Sequence, residues 1–247
     1  MDKVLYVAMS GARETMLAQQ AHANNLANAT TTGFKADLAQ ARAMPVYGEG
    51  WASRVYAQTE RPATDTSTGT LTQTGRDLDV AIDGEGWLAV VAPDGSEAYT
   101  RAGELQINAA NQLVTGSGLP VLGAGDIPII IPPSEKVDIG VDGTISARPL
   151  GEDAAELLLV DRLKLVDPDA GTLFKGEDGL MRTGDNQIQP LALDVRIRPG
   201  YLETSNVNAV SELTDIISLA RQFEVQVKLM KTAEENSTAA ARVLRLS

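Results

Sequence analysis

His22 is the one histidine in the 247-residue chain. A metal site or a triad built on imidazole needs partners at fixed spacing. Asn25 and Leu26 stand where a helical histidine would need an acid at i+3 or i+4. No G-x-S-x-G elbow supplies a serine nucleophile, so His22 reads as a packing or surface residue. The chain has no cysteine, which excludes disulfides, thiolate metal sites and a Cys nucleophile. The run Asp77–Leu–Asp79–Val–Ala–Ile–Asp83–Gly84–Glu85–Gly86 is acidic and glycine-bearing. A calcium loop needs oxygen ligands at positions 1, 3 and 5 and glycine at position 6. Counted from Asp77, positions 5 and 6 are Ala81 and Ile82, so the run reads as a strand, Leu78–Ile82, followed by a tight turn. Gly123, Gly125 and Pro128 fail as a dinucleotide loop, because proline replaces the third glycine and no helix follows. The carboxylate pairs Glu152–Asp153 and Glu234–Glu235 sit in exposed-looking segments. Nucleophile, base and oxyanion donors do not come together anywhere in this pattern. The expectation is a protein without catalytic site, cofactor or metal.

The elements that would position side chains are of two kinds. Leu5, Met9, Ala12, Met16, Gln19, Ala23 and Leu26 recur at alternating steps of four and three, a heptad stripe with small and polar members. It runs out at Asn28–Ala–Thr–Thr–Thr–Gly33, where β-branched residues and glycine favour leaving the helix. Leu213, Ile216, Ala220, Phe223, Val227 and Met230 form a second stripe near the other end, continued more weakly by Ser237, Ala241 and Leu244. Asn208 with Ser211, or Ser211 with Asp215, would start that helix. Pairing the two segments as a coiled coil buries both stripes. Residues 66–204 read as all-β, with strand-like runs at 69–73, 78–82, 87–91, 104–107, 127–131, 136–141, 157–166 and 193–198. Turns are expected at Asp94–Gly95, Asp142–Gly143, Asp178–Gly179 and Pro199–Gly200. Residues 36–65, with Pro45, Gly48, Gly50 and Pro62, read as an extended linker or loose hairpin. The fold class is α+β, mainly β: an elongated β domain (66–204) flanked by a helical assembly domain made of 1–35 and 205–247.

Charge divides the chain in the same way. Lys3, Arg13 and Lys35 against Asp2 and Glu14 give residues 1–35 a net of +1, and residues 203–247 carry five basic against six acidic residues. The overall −12 therefore sits in residues 36–202. Near-neutral ends pack in many copies without self-repulsion, and an acidic body stays soluble. Acids of that body, such as Glu97, read as solvated. A net charge of −12 argues against a nucleic-acid partner. No stretch approaches the ~20 apolar residues of a membrane span. The first segment carries Arg13 and Glu14 and lacks a continuous apolar run, so it reads as folded protein rather than a cleaved leader.

The run Ala23–Asn24–Asn25–Leu26–Ala27–Asn28–Ala29–Thr30–Thr31–Thr32–Gly33–Phe34–Lys35 resembles the N-terminal signature of the flagellar rod and hook axial proteins. Gly69–Thr–Leu71, Thr74–Gly75, Leu78–Asp–Val–Ala–Ile82–Asp–Gly84–Glu–Gly86–Trp87–Leu88, Tyr99–Thr–Arg101–Ala–Gly103 and Gly118–Leu–Pro120–Val–Leu–Gly123 are similar to the opening of that family's β domain. Gly200–Tyr–Leu–Glu203–Thr–Ser205–Asn206–Val207–Asn208, followed by Arg221–Gln–Phe223–Glu224, resembles its entry into the closing helix. Asp2, Ala8–Met9, Arg42–Ala–Met44–Pro45–Val46, Trp87 and the modest length are similar to the proximal-rod branch. A distal-rod or hook subunit, and outside the family a secreted β-rich adhesin, stay open as alternatives. The resemblance implies a subunit of the basal-body rod that assembles helically around a channel with copies of itself and other rod subunits. The terminal helices would form the inner layer and the β domain the outer one. It further implies export through the flagellar type III apparatus without a cleaved signal, a periplasm-crossing position and transmission of torque. Subunit packing is expected from Leu5, Met9, Met16, Ala23, Asn25, Leu26, Asn28, Gly33, Phe34, Leu213, Ile216, Ala220, Phe223, Val227 and Met230.

Overall fold

The computed structural model describes residues 2–39, 41–45, 55–59, 63–149, 157–184 and 187–245, and the chain divides into two units. Gly48, Gly50, Pro62 and the Glu152–Asp153 pair lie outside the described residues.

One unit comprises Met1–Ala29, Ala36–Asp65 and Val207–Ser247. Its elements are α1 (Asp2–Ala27), β1 (Asp37–Leu38), β2 (Ala41–Pro45), β3 (Val55–Thr59), β4 (Ala63–Thr64) and α2 (Ala209–Arg245). The β pieces form two antiparallel pairs, Asp37 opposite Thr64 and Ala41 opposite Thr59. Asn28 closes α1: its backbone N–H (3.1 Å) and its side-chain Nδ2 (2.9 Å) both donate to the Asn24 carbonyl in the last turn. Asn208 opens α2, its Oδ1 accepting the backbone N–H groups of Val210 (3.1 Å) and Ser211 (3.3 Å). Of the two starts open in the sequence, Asn208 is the cap.

The two helices pack along each other in opposite directions, with Gly11 and Thr15 beside Gln226 and His22 and Asn25 beside Glu212. The face of α1 turned to α2 thus runs through Gly11, Thr15, His22 and Asn25. That is the expected stripe displaced by one residue. Ala12, on the boundary of both, is buried, whereas Leu5, Met9 and Met16 are exposed. On α2, Glu212, Ile216, Leu219, Phe223, Gln226, Met230 and Ala233 are half-buried, while Leu213 and Val227 are exposed. Small side chains on α1 permit close approach, and the long apolar ones do not fit there.

The second unit comprises Thr30–Lys35 and Thr66–Asn206. Its strands are β5 (Leu71–Gln73), β6 (Val80–Asp83), β7 (Trp87–Val91), β8 (Glu97–Thr100), β9 (Leu105–Ile107), β10 (Leu113–Thr115), β11 (Ser134–Ile139), β12 (Thr144–Pro149), β13 (Leu158–Arg162), β14 (Leu165–Val166), β15 (Leu173–Lys175), β16 (Met181–Thr183), β17 (Arg196–Pro199) and β18 (Tyr201–Glu203). A five-stranded antiparallel sheet runs β14-β7-β8-β16-β15, and a three-stranded one β11-β12-β13. β6 pairs with β17, β5 with β18 and β9 with β10. Both faces of β7 are covered. Leu88 and Val90 join a large cluster with Ile82, Leu105, Ile145 and Leu163, whereas Trp87 and Ala89 join a second one with Tyr99, Leu122, Val166 and Met181. That accounts for its unbroken apolar run.

The turns at Asp94–Gly95, Asp142–Gly143 and Asp178–Gly179 close hairpins, and Pro199–Gly200 separates β17 from β18. Residues 127–131 differ from expectation. Ile129 and Ile131 are buried, but the segment makes isolated bridges rather than a strand. Pro128, Pro132 and Pro133 remove the donors a ladder would need. Glu97 also differs. Its side chain is 8% exposed and its Oε2 accepts from the buried Lys164 Nζ at 2.8 Å. The sole helical piece of the described β unit is the short 3-10 turn Ala170–Thr172. Among the described residues no helix is long and apolar enough to cross a membrane.

Candidate functional site

Three motif blocks of the β unit converge on one carboxylate. Glu203, fully buried at the end of β18, accepts from Lys35 Nζ (2.6 Å) and the Gly69 backbone N–H (2.8 Å) through Oε1, and from Arg101 Nη1 (3.0 Å) through Oε2. Arg101 also donates to the Gly84 carbonyl at 2.9 Å. Lys35 Nζ reaches the Ser67 carbonyl at 2.7 Å. The Arg101 guanidinium stands 5.2 Å from the Trp87 ring centre, within cation–π range. Each buried charge thus has an opposite charge and further hydrogen bonds, the condition under which burial is tolerated.

The backbone is fitted to the same point. Gly33 donates its N–H to the Glu203 carbonyl at 2.8 Å. Its φ is +66°, and a Cβ there would lie 2.2 Å from the Arg101 carbonyl carbon, so only glycine fits. Phe34 lies beneath Lys175, whose Nζ is 3.8 Å from the ring centre. The Gly-Phe-Lys segment, the Tyr99–Gly103 block and the Gly200–Asn208 block are thereby one tied structure.

In the helical unit the asparagines of α1 hold a returning chain. Asn25, 1% exposed, receives the Asp37 N–H on Oδ1 (2.8 Å) and donates Nδ2 to the Asp37 carbonyl (2.9 Å), as a β-strand neighbour would. Asn24 donates to the Asp37 carboxylate at 3.1 Å. His22 Nδ1 lies 2.5 Å from Glu212 Oε2, and Asn25 Nδ2 lies 3.4 Å from Glu212 Oε1.

The residues expected to pack subunits fall into three groups. Leu5, Met9, Met16, Ala23, Leu213 and Val227 are exposed. Leu26, Asn28, Gly33, Phe34, Ile216, Ala220, Phe223 and Met230 are half-buried, and Asn25 is buried against its own chain. Beyond them the helices expose Tyr6 and Leu17 on α1 and Val210, Ile217, Val225 and Leu229 on α2. Sequence reasoning missed Glu203, Arg101 and Lys35 as a cluster, and Glu212 as the partner of His22. The first three stood inside recognised motif blocks, and that was the available signal. Glu212 is 190 positions from His22 and had none.

Three family models match the chain in order. The one described as "Flagella basal body rod protein" covers residues 5–35, "Flagellar hook protein FlgE/F/G D1 domain" covers 81–147, and "Flagellar basal body rod FlgEFG protein C-terminal" covers 198–243. The flagellar basal-body rod protein FlgF of Salmonella typhimurium is 42% identical, and that of Escherichia coli 40% identical, each over the full length of both chains. The flagellar basal-body rod protein FlgG of Agrobacterium fabrum is 31% identical over 98% of this chain and 100% of its own.

Proposed function

This chain belongs to the flagellar basal-body rod protein family, a structural subunit of the basal body, and from that premise we propose how its helices do the work of a rod. The chain is of the proximal-rod type and acts as a building block without catalysis, cofactor or metal. α1 and α2 pair in the manner of a coiled coil, and their outward faces pack against copies of the chain and against other rod subunits. The assembly is helical, spans the periplasm and carries torque. Subunits reach it through the flagellar type III apparatus without loss of a leader.

One observation carries the reading. On the two paired helices, Leu5, Tyr6, Met9, Met16, Leu17, Val210, Leu213, Ile217, Val225, Val227 and Leu229 are 40–76% exposed. Scattered exposed apolar residues are ordinary, but rows of them along two paired helices mark an interaction surface. Covering the exposed half of one such side chain contributes about 1 kcal/mol, half the ~1.5–3 kcal/mol of full burial. Association costs ~4–15 kcal/mol in lost freedom, so a few contacts do not suffice and a long shared surface does. Heterologous contacts of this kind build open helical polymers.

Met16→Asp and Leu213→Asp place a charge on the outer faces of α1 and α2. Each variant is expected to keep the thermal melt of the purified chain, to be absent from isolated basal bodies and to abolish swimming. Glu177→Gln, an exposed acid of the β unit, serves as the control that swims. Normal swimming by either Asp variant would remove the outward stripes as the assembly surface.

A further inference from the structure

The apolar part of the α1–α2 seam does not distinguish one register from the next. Ile216, Phe223 and Met230, half-buried on α2, recur every seven residues. Among them, at Gln226, α1 offers the small Gly11. Sliding α2 by seven residues, about 10 Å, replaces Ile216 with Phe223 and Phe223 with Met230. Non-directional apolar contact separates such states weakly. The polar positions of the seam do not repeat: 212, 219, 226 and 233 are Glu, Leu, Gln and Ala. In the observed register Glu212 meets both His22 (2.5 Å) and Asn25 (3.4 Å), and Gln226 Nε2 donates to Thr15 Oγ1 at 3.2 Å. A slide that brings Leu219 to Asn25 and His22 removes these partners from a carboxylate that is 13% exposed, while Asn25 keeps its two bonds to Asp37.

We infer that Glu212, held between His22 and Asn25, selects the register of α2 against α1, with Thr15–Gln226 as a second and weaker pin. It thereby sets how the outward apolar residues of one helix line up with those of the other. A single polar position in a helical seam specifies register, because every other register leaves a buried polar group unmatched. The device acts within one chain and stands apart from the assembly reading.

The cysteine-free sequence permits disulfide trapping in the full-length chain. Gly11→Cys with Gln226→Cys, side by side in the structure, reports the observed register. Gly11→Cys with Leu219→Cys, or with Ala233→Cys, reports a slide of seven residues either way. With Glu212 present, diamide oxidation is expected to cross-link the first pair about tenfold faster than either displaced pair, the ratio that one unmatched buried polar group imposes. Glu212→Leu and His22→Leu should bring the three rates together at unchanged helicity by circular dichroism. Glu212→Gln, which keeps an acceptor, should restore the preference. Persistence of the preference in both Leu variants overturns the inference. So does joint loss of helicity and of all three cross-links, because the cluster would then support the helices themselves rather than their register.

Discussion

Glu203 illustrates how much a single residue can hold when it is buried. Its carboxylate meets two cations whose side chains are 3% and 2% exposed. Removing one partner of a buried ion pair leaves a charge without compensation and costs about 3–5 kcal/mol. Glu203→Ala is therefore expected to lower the stability of the β unit by about that amount, read as a fall in the midpoint of urea unfolding followed by circular dichroism. A midpoint indistinguishable from the parent's would show that the cluster contributes little. The cluster also gives the motif blocks a physical reason. Lys35, Gly69, Arg101 and Glu203 are far apart in the chain and make one hydrogen-bonded group.

At the scale of elements, the helices and the hairpins are stabilised differently. α1 keeps its long apolar side chains on the outside and its small and polar ones toward α2. Its packing within the chain is therefore modest, and helices in proteins gain most of their stability from such packing. Phe223 and Leu26 are half-buried, so an Asp at either would disturb the chain itself and not only its neighbours. The hairpins depend on their turns. Between β11 and β12, Asp142 accepts from Thr144 Oγ1 (2.6 Å) and from the Thr144 N–H (3.2 Å). These bonds, the hydroxyl one foremost, hold the Asp142 carboxyl below its ordinary range. A depressed folded-state pKa contributes stability that is present above the ordinary carboxylate pKa and is lost as pH falls through the depressed one. Asp142→Ala should lower the urea midpoint at neutral pH. The variant and parent curves should converge well below pH ~4, where the parent's carboxyl is protonated too. A gap of constant size across the acid range would show that the ionised carboxylate is not what braces the turn.

The whole molecule separates two tasks. Net charge of −12 is carried by residues 36–202, and rows of exposed apolar side chains are carried by the helices. The β unit contains its own closure. Lys35 near its first segment and Glu203 near its last are bonded to each other inside it, and Asn206 donates to Ser67 at 3.3 Å. A chain of residues 30–206 should accordingly melt cooperatively, within about 4 °C of the β-unit transition of the full chain, a difference of roughly 1 kcal/mol for a domain of this size. A broad, non-cooperative melt would place the terminal helices among the elements that the β unit needs. Introducing Glu203→Ala into the shortened chain should lower its midpoint as it does in the full one.

The sequence by itself determined what depends on near neighbours. The periodicity of both ends gave the two helices, and Asn208, the Asn28–Gly33 exit and the Asp–Gly pairs marked where elements stop and turn. Motif blocks in their order carried the family. Short strands such as β8, β12 and β16 were not separately legible, because three to six residues offer too few alternations to stand out from a loop. Tertiary structure alone decided which face of α1 meets α2. Both faces of that helix carry small and polar residues, so periodicity lacked the contrast that assigns an inside. It also decided the charged clusters. Lys35–Glu203, Arg101–Glu203, Glu97–Lys164 and His22–Glu212 join residues 67–190 positions apart. Their value comes from burial, which no local window of sequence contains. Glu97 shows the consequence: it looks in sequence like any other acid of a solvated surface, and its meaning changes only when Lys164 is folded beside it.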